Sequence, residues 1–453
     1  MIVDAPKHRD STPPPMAVPF HVSIIDRCHV SPPPDSLIPT ISLPLTFLDI
    51  PWLLYPSNQT LLFFPKPPPK TTVITLLRQS LSLTLHHFHP LAGNLLSPPP
   101  PVDPYIVYTK GDSISLTVAE SNTNINHLSG DHPRSINNLY SLLPKLPLTS
   151  MSRDTNVVQV YPLLAIQITF FNDSGLSIGV TAQQVSADER TLDHFLKHWA
   201  SVCKSLLKKD SFFAFNSTPW FDQTVIRDRN SLKTTFLKQW WNRLDSIEDS
   251  LRETDHNIVQ STFRVAPSDT NMIKQHILAK CKTINEDPPL HLSPYDGPLY
   301  LGFNAGGITR LGYEIPSSYF GNCIAFGRCR AMKSALLGDD GIVFAAKSLG
   351  KEIKRLDMDV LGGGDRWISD WEELNIRFLG SPKVDSYGLD FGWGKVQKVE
   401  KISSDHDHGK GNVVSLSGSR DLKSGIEVGV ALSGKEMSAF TSLFNGGLME
   451  LAQ

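Results

Sequence analysis

The chain has 453 residues, with 43 Lys and Arg against 45 Asp and Glu, for a formal net charge of -2. That balance excludes a strongly basic nucleic-acid binder, and 40% hydrophobic residues exclude general disorder. At roughly 150 residues per domain, the length suits two or three domains.

The five cysteines, Cys28, Cys203, Cys281, Cys323 and Cys329, are widely spaced with no CxxC pair, so reduced thiols are expected, with neither a disulfide framework nor a zinc site. No apolar run approaches the roughly 20 residues of a bilayer span, and the first residues hold no signal-peptide core. The expectation is a soluble, cytoplasmic, monomeric protein with a small-molecule substrate and with neither nucleic acid nor membrane as partner.

Residues 1–15 are polar and proline-rich and read as a flexible extension. Proline clusters at 32–34, 67–69 and 98–101 mark loops. Between them, Val73, Leu76, Leu77, Leu81 and Leu85 predict an amphipathic helix over Thr71 to Leu85. Ala165 to Phe171 and Leu176 to Thr181 alternate apolar and polar residues around Asn172-Asp173-Ser174-Gly175, which predicts a hairpin leading to Gln184. After Asp188 the period becomes helical through Leu192, Phe195, Trp199, Val202 and Leu206.

Residues 208–260 read as a crossover between an N-terminal lobe, 16–207, and a C-terminal lobe, 261–453. Ser268 is placed to cap a helix through Met272, Ile273 and Ile277. Ile342 to Leu356 predicts a further helix, Gly362 to Gly364 a turn, and Ile376 to Leu379, Asn412 to Leu416 and Ile426 to Leu432 strands. This mixture predicts an α/β (α+β) protein of two lobes.

Gln183-Gln184-Val185-Ser186-Ala187-Asp188 joins a strand end to a helix start, where side chains can face a cleft, although an ordinary Asp N-cap satisfies the same pattern. Asp390-Phe391-Gly392-Trp393-Gly394 demands tight backbone geometry and reads as structural; Tyr319-Phe320-Gly321-Asn322-Cys323 is similar, with Cys323 a small buried residue. His194 and His198 stand four apart but lack a third ligand, and Asp405-His406-Asp407-His408-Gly409 reads as a solvated loop, so no metal site is expected.

Ser31-Pro32-Pro33-Pro34-Asp35-Ser36, Leu43-Pro44-Leu45-Thr46-Phe47-Leu48-Asp49, His89-Pro90-Leu91-Ala92-Gly93-Asn94-Leu95, Tyr319 to Cys323 and Asp390 to Lys395 occur in this order. With them the chain resembles the plant BAHD acyltransferase family, within the branch that malonylates phenolic and anthocyanin glucosides. The resemblance implies a two-lobed CoA-dependent acyltransferase fold with an interlobe channel and an HxxxD motif at its centre. It makes Asp188 a structural residue and implies substrate contacts from Gln183, Ser186, Arg190, Leu192, Tyr319 and Asn322. Structural roles fall to Asp390, Gly392, Trp393, Gly394 and Arg310.

Three departures stand against the family pattern. Gln184 occupies the histidine position, and an amide cannot accept a proton at neutral pH, so base assistance worth roughly 10² to 10⁴ in rate is lost. Leu192 occupies the position of the arginine that pairs with a malonyl carboxylate, and Arg190 lies about 160° from it on an ideal helix. The stretch from Leu292-Ser293 to Tyr319 is shorter than in relatives and omits a helix, which Pro294 to Gly307 cannot replace. Arg310 matches an arginine that pairs with the motif aspartate, giving an expected Asp188–Arg310 bridge.

Three readings stay open: a base-independent reaction on an already acylated substrate, such as displacement of the acid by an internal amine; an acyl-CoA-dependent transferase on an oxygen or nitrogen acceptor, re-based on a residue such as His194; and a non-catalytic binding protein. The first requires no cofactor, and the second takes acyl-CoA, malonyl-CoA among the candidates.

Overall fold

A computed structural model describes residues 20–146, 149–153, 156–172, 175–209, 217–243, 257–283, 297–402 and 412–452. Residues 1–15, the turn residues 173 and 174, the 405–409 loop and the 292–294 stretch lie outside them. Three sheets carry the fold. A six-stranded sheet runs in the order Val22–Val30, Ile114–Ser121, Leu164–Phe171, Leu176–Ala182, Asn58–Phe64, Lys398–Ile402. A seven-stranded sheet runs Ile324–Met332, Pro298–Gly306, Ile376–Leu379, Asn412–Gly418, Ile426–Ser433, Ile258–Val265, Arg134–Ser135. A five-stranded sheet joins Ile41–Pro44, Tyr105–Tyr108, Asn94–Ser97, Asn156–Pro162 and Thr149–Arg153.

The hairpin before Gln184 forms, in the register Leu164↔Ala182 to Phe170↔Leu176. Its alternation, however, does not expose a polar face, because both strands are buried throughout. The 136–144 segment covers the second face and supplies acceptors to its polar side chains. Gln167 Nε2 donates to Ser141 O at 3.0 Å and Thr181 Oγ1 to Pro144 O at 2.7 Å. Any side chain at Gly179 would collide with Leu142 O, 2.2 Å from where a Cβ would stand.

The helix expected over 71–85 spans Lys70–His87 and packs on the Glu189–Lys208 helix. Trp199, fully buried, donates its Nε1 proton to Ser80 Oγ at 3.0 Å across that contact. The helix Pro267–Thr283 starts earlier than expected, with Pro267 at its first position; Asp269, not Ser268, satisfies the entering chain by accepting from Ala266 N at 2.8 Å. The helix expected over 342–356 spans Gly341–Met358. Pro298–Gly306 is a strand, paired antiparallel with Ile324–Met332 and parallel with Ile376–Leu379.

The two large sheets are tied by exchanged strands and by a buried ion cluster. Lys398–Ile402, from late in the chain, pairs with Asn58–Phe64, while Arg134–Ser135 pairs with Ile258–Val265. Between them Lys398 Nζ, fully buried, contacts Asp131 Oδ1 at 2.9 Å, Thr262 Oγ1 at 2.9 Å and Glu427 Oε2 at 3.3 Å. Arg134 Nη1 donates to Glu400 Oε1 at 2.6 Å, and Arg420 Nη2 to Asp131 at 2.6 and 2.7 Å. Arg264 Nη2 also stands 2.6 Å from Asp131 Oδ2, so each of the three carboxylates has a cationic partner.

A second junction is a histidine cluster. The His87 and His198 rings lie 5.3 Å apart and Phe88 stands 5.4 Å from His198. Burial pushes the imidazoles of His87, His89 and His194 below their ordinary range and takes His198 down to about 4.

Lys398→Met leaves buried carboxylates short of a cation and should cost about 3–5 kcal/mol in urea unfolding; an unchanged midpoint contradicts the assigned role. For the histidines, the unfolded chain binds more protons than the folded one between their ordinary value of about 6.5 and the lower folded values. Stability is therefore full above about pH 6.5 and falls toward pH 4. His198→Leu should flatten that acid limb of melting temperature against pH, and an unaltered limb would place its origin elsewhere.

Candidate active site

The turn between the hairpin and the Glu189–Lys208 helix is held from both ends. Asp188 is the helix N-cap: its Oδ1 accepts from Thr191 N at 2.8 Å. Its other oxygen, Oδ2, accepts from Cys323 N at 3.0 Å. One carboxylate therefore joins the helix start to the 319–323 segment.

Asn322 completes the lock. Fully buried, it donates Nδ2 to Asp49 Oδ1 at 3.1 Å, to Gln184 O at 3.0 Å and to Val185 O at 3.0 Å. Asp49 also accepts from Asn322 N at 3.0 Å and from Thr46 N at 2.8 Å. Burial pushes the Asp49 carboxyl up, against the pull of these donors. Gly321 adopts φ +131°, a left-handed backbone that favours glycine, and its carbonyl accepts from Thr191 Oγ1 at 3.0 Å.

Beside this turn lies a cavity of about 630 Å³, between the Asn58–Phe64 and Lys398–Ile402 strands on one side and residues 303–310 and 379–384 on the other. Gln184, Asp188, Arg190, Leu192 and Arg310 line it, with Cys323. The Gln184 amide makes no hydrogen bond among the described residues; only its main chain is used by the fold. The Cys323 thiol is pushed up to about 12 by burial, with Asp188 adding to the effect, so no thiolate is present at neutral pH.

Other expected site residues fall elsewhere. Asn322 is spent on the turn. Ser186 is fully buried, its Oγ donating to Gln183 O at 2.7 Å, and Gln183 N donates to Leu163 O at 2.8 Å. Tyr319 is fully buried with its hydroxyl donating to Gln223 Oε1, and burial pushes its pKa up. None of these four lines the cavity. His194 does not either: its Nε2 stands 3.1 Å from Ser217 O and its ring lies against Phe88.

The expected Asp188–Arg310 bridge does not form. Arg310 Nε donates to Asp357 Oδ1 at 2.7 Å and Nη1 to Gly306 O at 3.0 Å. The cation nearest Asp188 is Arg190, at 3.5 Å, which also donates to Ser317 O at 3.0 Å. Asp188 already has two backbone donors and that guanidinium, and needs no other partner.

Asp390 accepts from Gly392 N at 2.8 Å, Gly394 N at 3.1 Å and Lys204 Nζ at 2.7 Å. Phe391 meets Trp199 edge-on at 5.0 Å and Trp393 stacks on Phe391 at 5.7 Å, so this segment braces the back of the Glu189–Lys208 helix and lies outside the cavity lining. Residues that sequence reasoning missed are Asp49, Trp52, Tyr55, Trp371, Glu189 and Lys401. Asp49 stood inside a quoted motif, and its polar position in an apolar run was the available signal.

Among the described residues no group of three His, Cys, Asp or Glu is placed to hold a metal, and no helix is long and apolar enough to cross a membrane. Asn322→Ala removes the Nδ2 donor that serves Asp49 and the Gln184 and Val185 carbonyls, while the residue 322 N–H to Asp49 stays, and should destabilise by about 2–4 kcal/mol. Thermal unfolding checks this, and a melting temperature within error of the parent would remove Asn322 from the lock.

A family profile described as the Transferase family matches residues 20–446. Coumaroyl-CoA:anthocyanidin 3-O-glucoside-6''-O-coumaroyltransferase 2 of Arabidopsis thaliana is 33% identical over 466 residues, covering 95% of this chain and 98% of its own. Malonyl-coenzyme A:anthocyanin 3-O-glucoside-6''-O-malonyltransferase of Dahlia pinnata is 33% identical, covering 94% and 98%. The crystal structure of vinorine synthase superposes with a TM-score of 0.61 at 18% identity, over 92% of this chain and 96% of that one, a likeness of fold. A two-lobed CoA-dependent acyltransferase fold and whole-length relatives converge: the chain belongs to the BAHD acyltransferase family of plant specialised metabolism.

Proposed function

We propose that this chain acts on a small molecule that already carries an acyl ester, and promotes intramolecular displacement of the acid by an amine of the same molecule. The observation that carries this reading is the Gln184 amide, which lines the cavity without a hydrogen-bond partner among the described residues, where the resemblance places a base. The lining carboxylates are committed: Asp188 to two backbone N–H groups, and Glu189 to Lys401 at 3.1 Å. Cys323 is protonated.

The proposed step needs no base. A tertiary amine lone pair attacks the carbon bearing the ester oxygen; the C–N bond forms, the C–O bond breaks, and its electron pair leaves on the carboxylate. Nitrogen becomes a quaternary ammonium, and no proton moves. Holding amine and ester in line supplies rate by proximity, worth up to about 7–11 kcal/mol in ideal cases. Gln184 donates to the departing carboxylate oxygen. Trp52, Tyr55 and Trp371, with ring centroids 5.4, 5.8 and 4.9 Å apart pairwise, give the cavity an aromatic wall that suits a cationic product.

A second reading, acyl transfer from an acyl-CoA donor, is favoured by the CoA donors in the relatives' names and by their identity over the whole chain. Incubation with pre-acylated amines, and separately with acyl-CoA plus acceptors, distinguishes the two by mass spectrometry against protein-free controls. The first reading expects loss of the acid without CoA, a drop on the order of 10² in Gln184→Leu, and no gain in Gln184→His. CoA release with an acceptor transfers the case to the second reading. Inertness in both arms leaves a binding protein.

A further inference from the structure

We propose that Arg310 anchors the free carboxylate of a dicarboxylic half-ester in the cavity, so that the acid displaced is a short dicarboxylate. This rests on the reading that the substrate arrives already acylated. Four cations line the cavity: Arg190, Arg310, Lys383 and Lys401. Arg190 is spent on Ser317 O, Thr191 Oγ1, Gly321 O and Asp188. Lys401 is paired with Glu189 at 3.1 Å and reaches Thr60 Oγ1 at 3.4 Å. Lys383 stands at the exposed rim.

Arg310 differs from these. Its Nε and Nη1 have partners, but Nη2 donates no hydrogen bond among the described residues. Its ionic partner Asp357 is 56% exposed and contributes one oxygen, a solvent-screened pair that yields readily to a competing carboxylate. A guanidinium presents a planar fork matched to a carboxylate, which makes it the better anchor than the rim ammonium. Leu192, buried and apolar on the opposite wall, cannot take that charge. The phosphates of a nucleotide carrier share the anionic chemistry, so the test separates the two sources.

The full chain is titrated with malonate, acetate and adenosine 3',5'-bisphosphate by calorimetry or ligand-observed NMR. Malonate should bind saturably and more tightly than acetate. Arg310→Met should weaken malonate about tenfold or more, Arg310→Lys should recover part of the loss, and Asp357→Asn, which removes the internal competitor, should tighten malonate. If Arg310→Met fails to fold, Asp357→Asn decides: tightening supports the anchor and an unchanged affinity overturns it. Malonate no tighter than acetate, an unaffected Arg310→Met, or loss confined to the bisphosphate also overturns it. Because the readout is binding, these results stand apart from the turnover assay: malonate can fail to bind while pre-acylated amines are still consumed, and the reverse.

Discussion

The Asp188 carboxylate is the constraint on which the site depends. Its two oxygens accept from the N–H groups of Thr191 and Cys323, which belong to segments more than a hundred residues apart. Removing the carboxylate leaves both a helix end and a loop N–H without this acceptor. Asn322 performs the complementary task by donating to two successive carbonyls of the turn while gripping Asp49. The path of residues 184–188 is thereby set by the Asp188 and Asn322 side chains acting on main-chain groups. The Gln184 side chain adds nothing to that frame among the described residues, since only its main chain accepts from Asn322.

This separation of frame from chemistry governs what the cavity can do. The Asp188 carboxylate is committed to two backbone donors and lies beside the Arg190 guanidinium. Glu189 is neutralised by Lys401, and burial keeps the Cys323 thiol protonated. The lining therefore supplies hydrogen-bond donors, cations and aromatic faces, which suit the departure of an anion. Chemistry that begins by pulling a proton from a hydroxyl finds little support in such a lining.

Much of the fold was legible in the sequence because it rested on local patterns. Periodicity located the Lys70–His87 and Glu189–Lys208 helices, and Asp188 announced its own cap. The patterns failed where a distant segment intervened. Alternation over Ala165 to Phe171 predicted the hairpin but not its cover: residues 136–144 lie over it and satisfy Gln167 and Thr181. Ser268 looked like a cap, but Pro267 fits the first helical position better and Asp269 closes the entry. Site residues followed the same division. Gln184, Arg190 and Leu192 reach the cavity, while Ser186, Tyr319 and Asn322, polar in sequence, are consumed by hydrogen bonds to partners no local pattern reveals.

The two arginines that line the cavity have different partners. Arg190 sits in the first turn of the helix, two residues past Asp188, and reaches across to the carbonyls of Ser317 and Gly321. It thus clamps the helix start to the 317–323 segment. With the Asp188 charge compensated locally, a second guanidinium there would meet Arg190 at close range in a poorly solvated corner, an unfavourable like-charge contact. Arg310 turns instead to Asp357 and Gly306 and keeps one nitrogen directed to no protein acceptor among the described residues. The cavity therefore presents an apolar side chain at Leu192 and, at Arg310, a guanidinium with one nitrogen unengaged among the described residues.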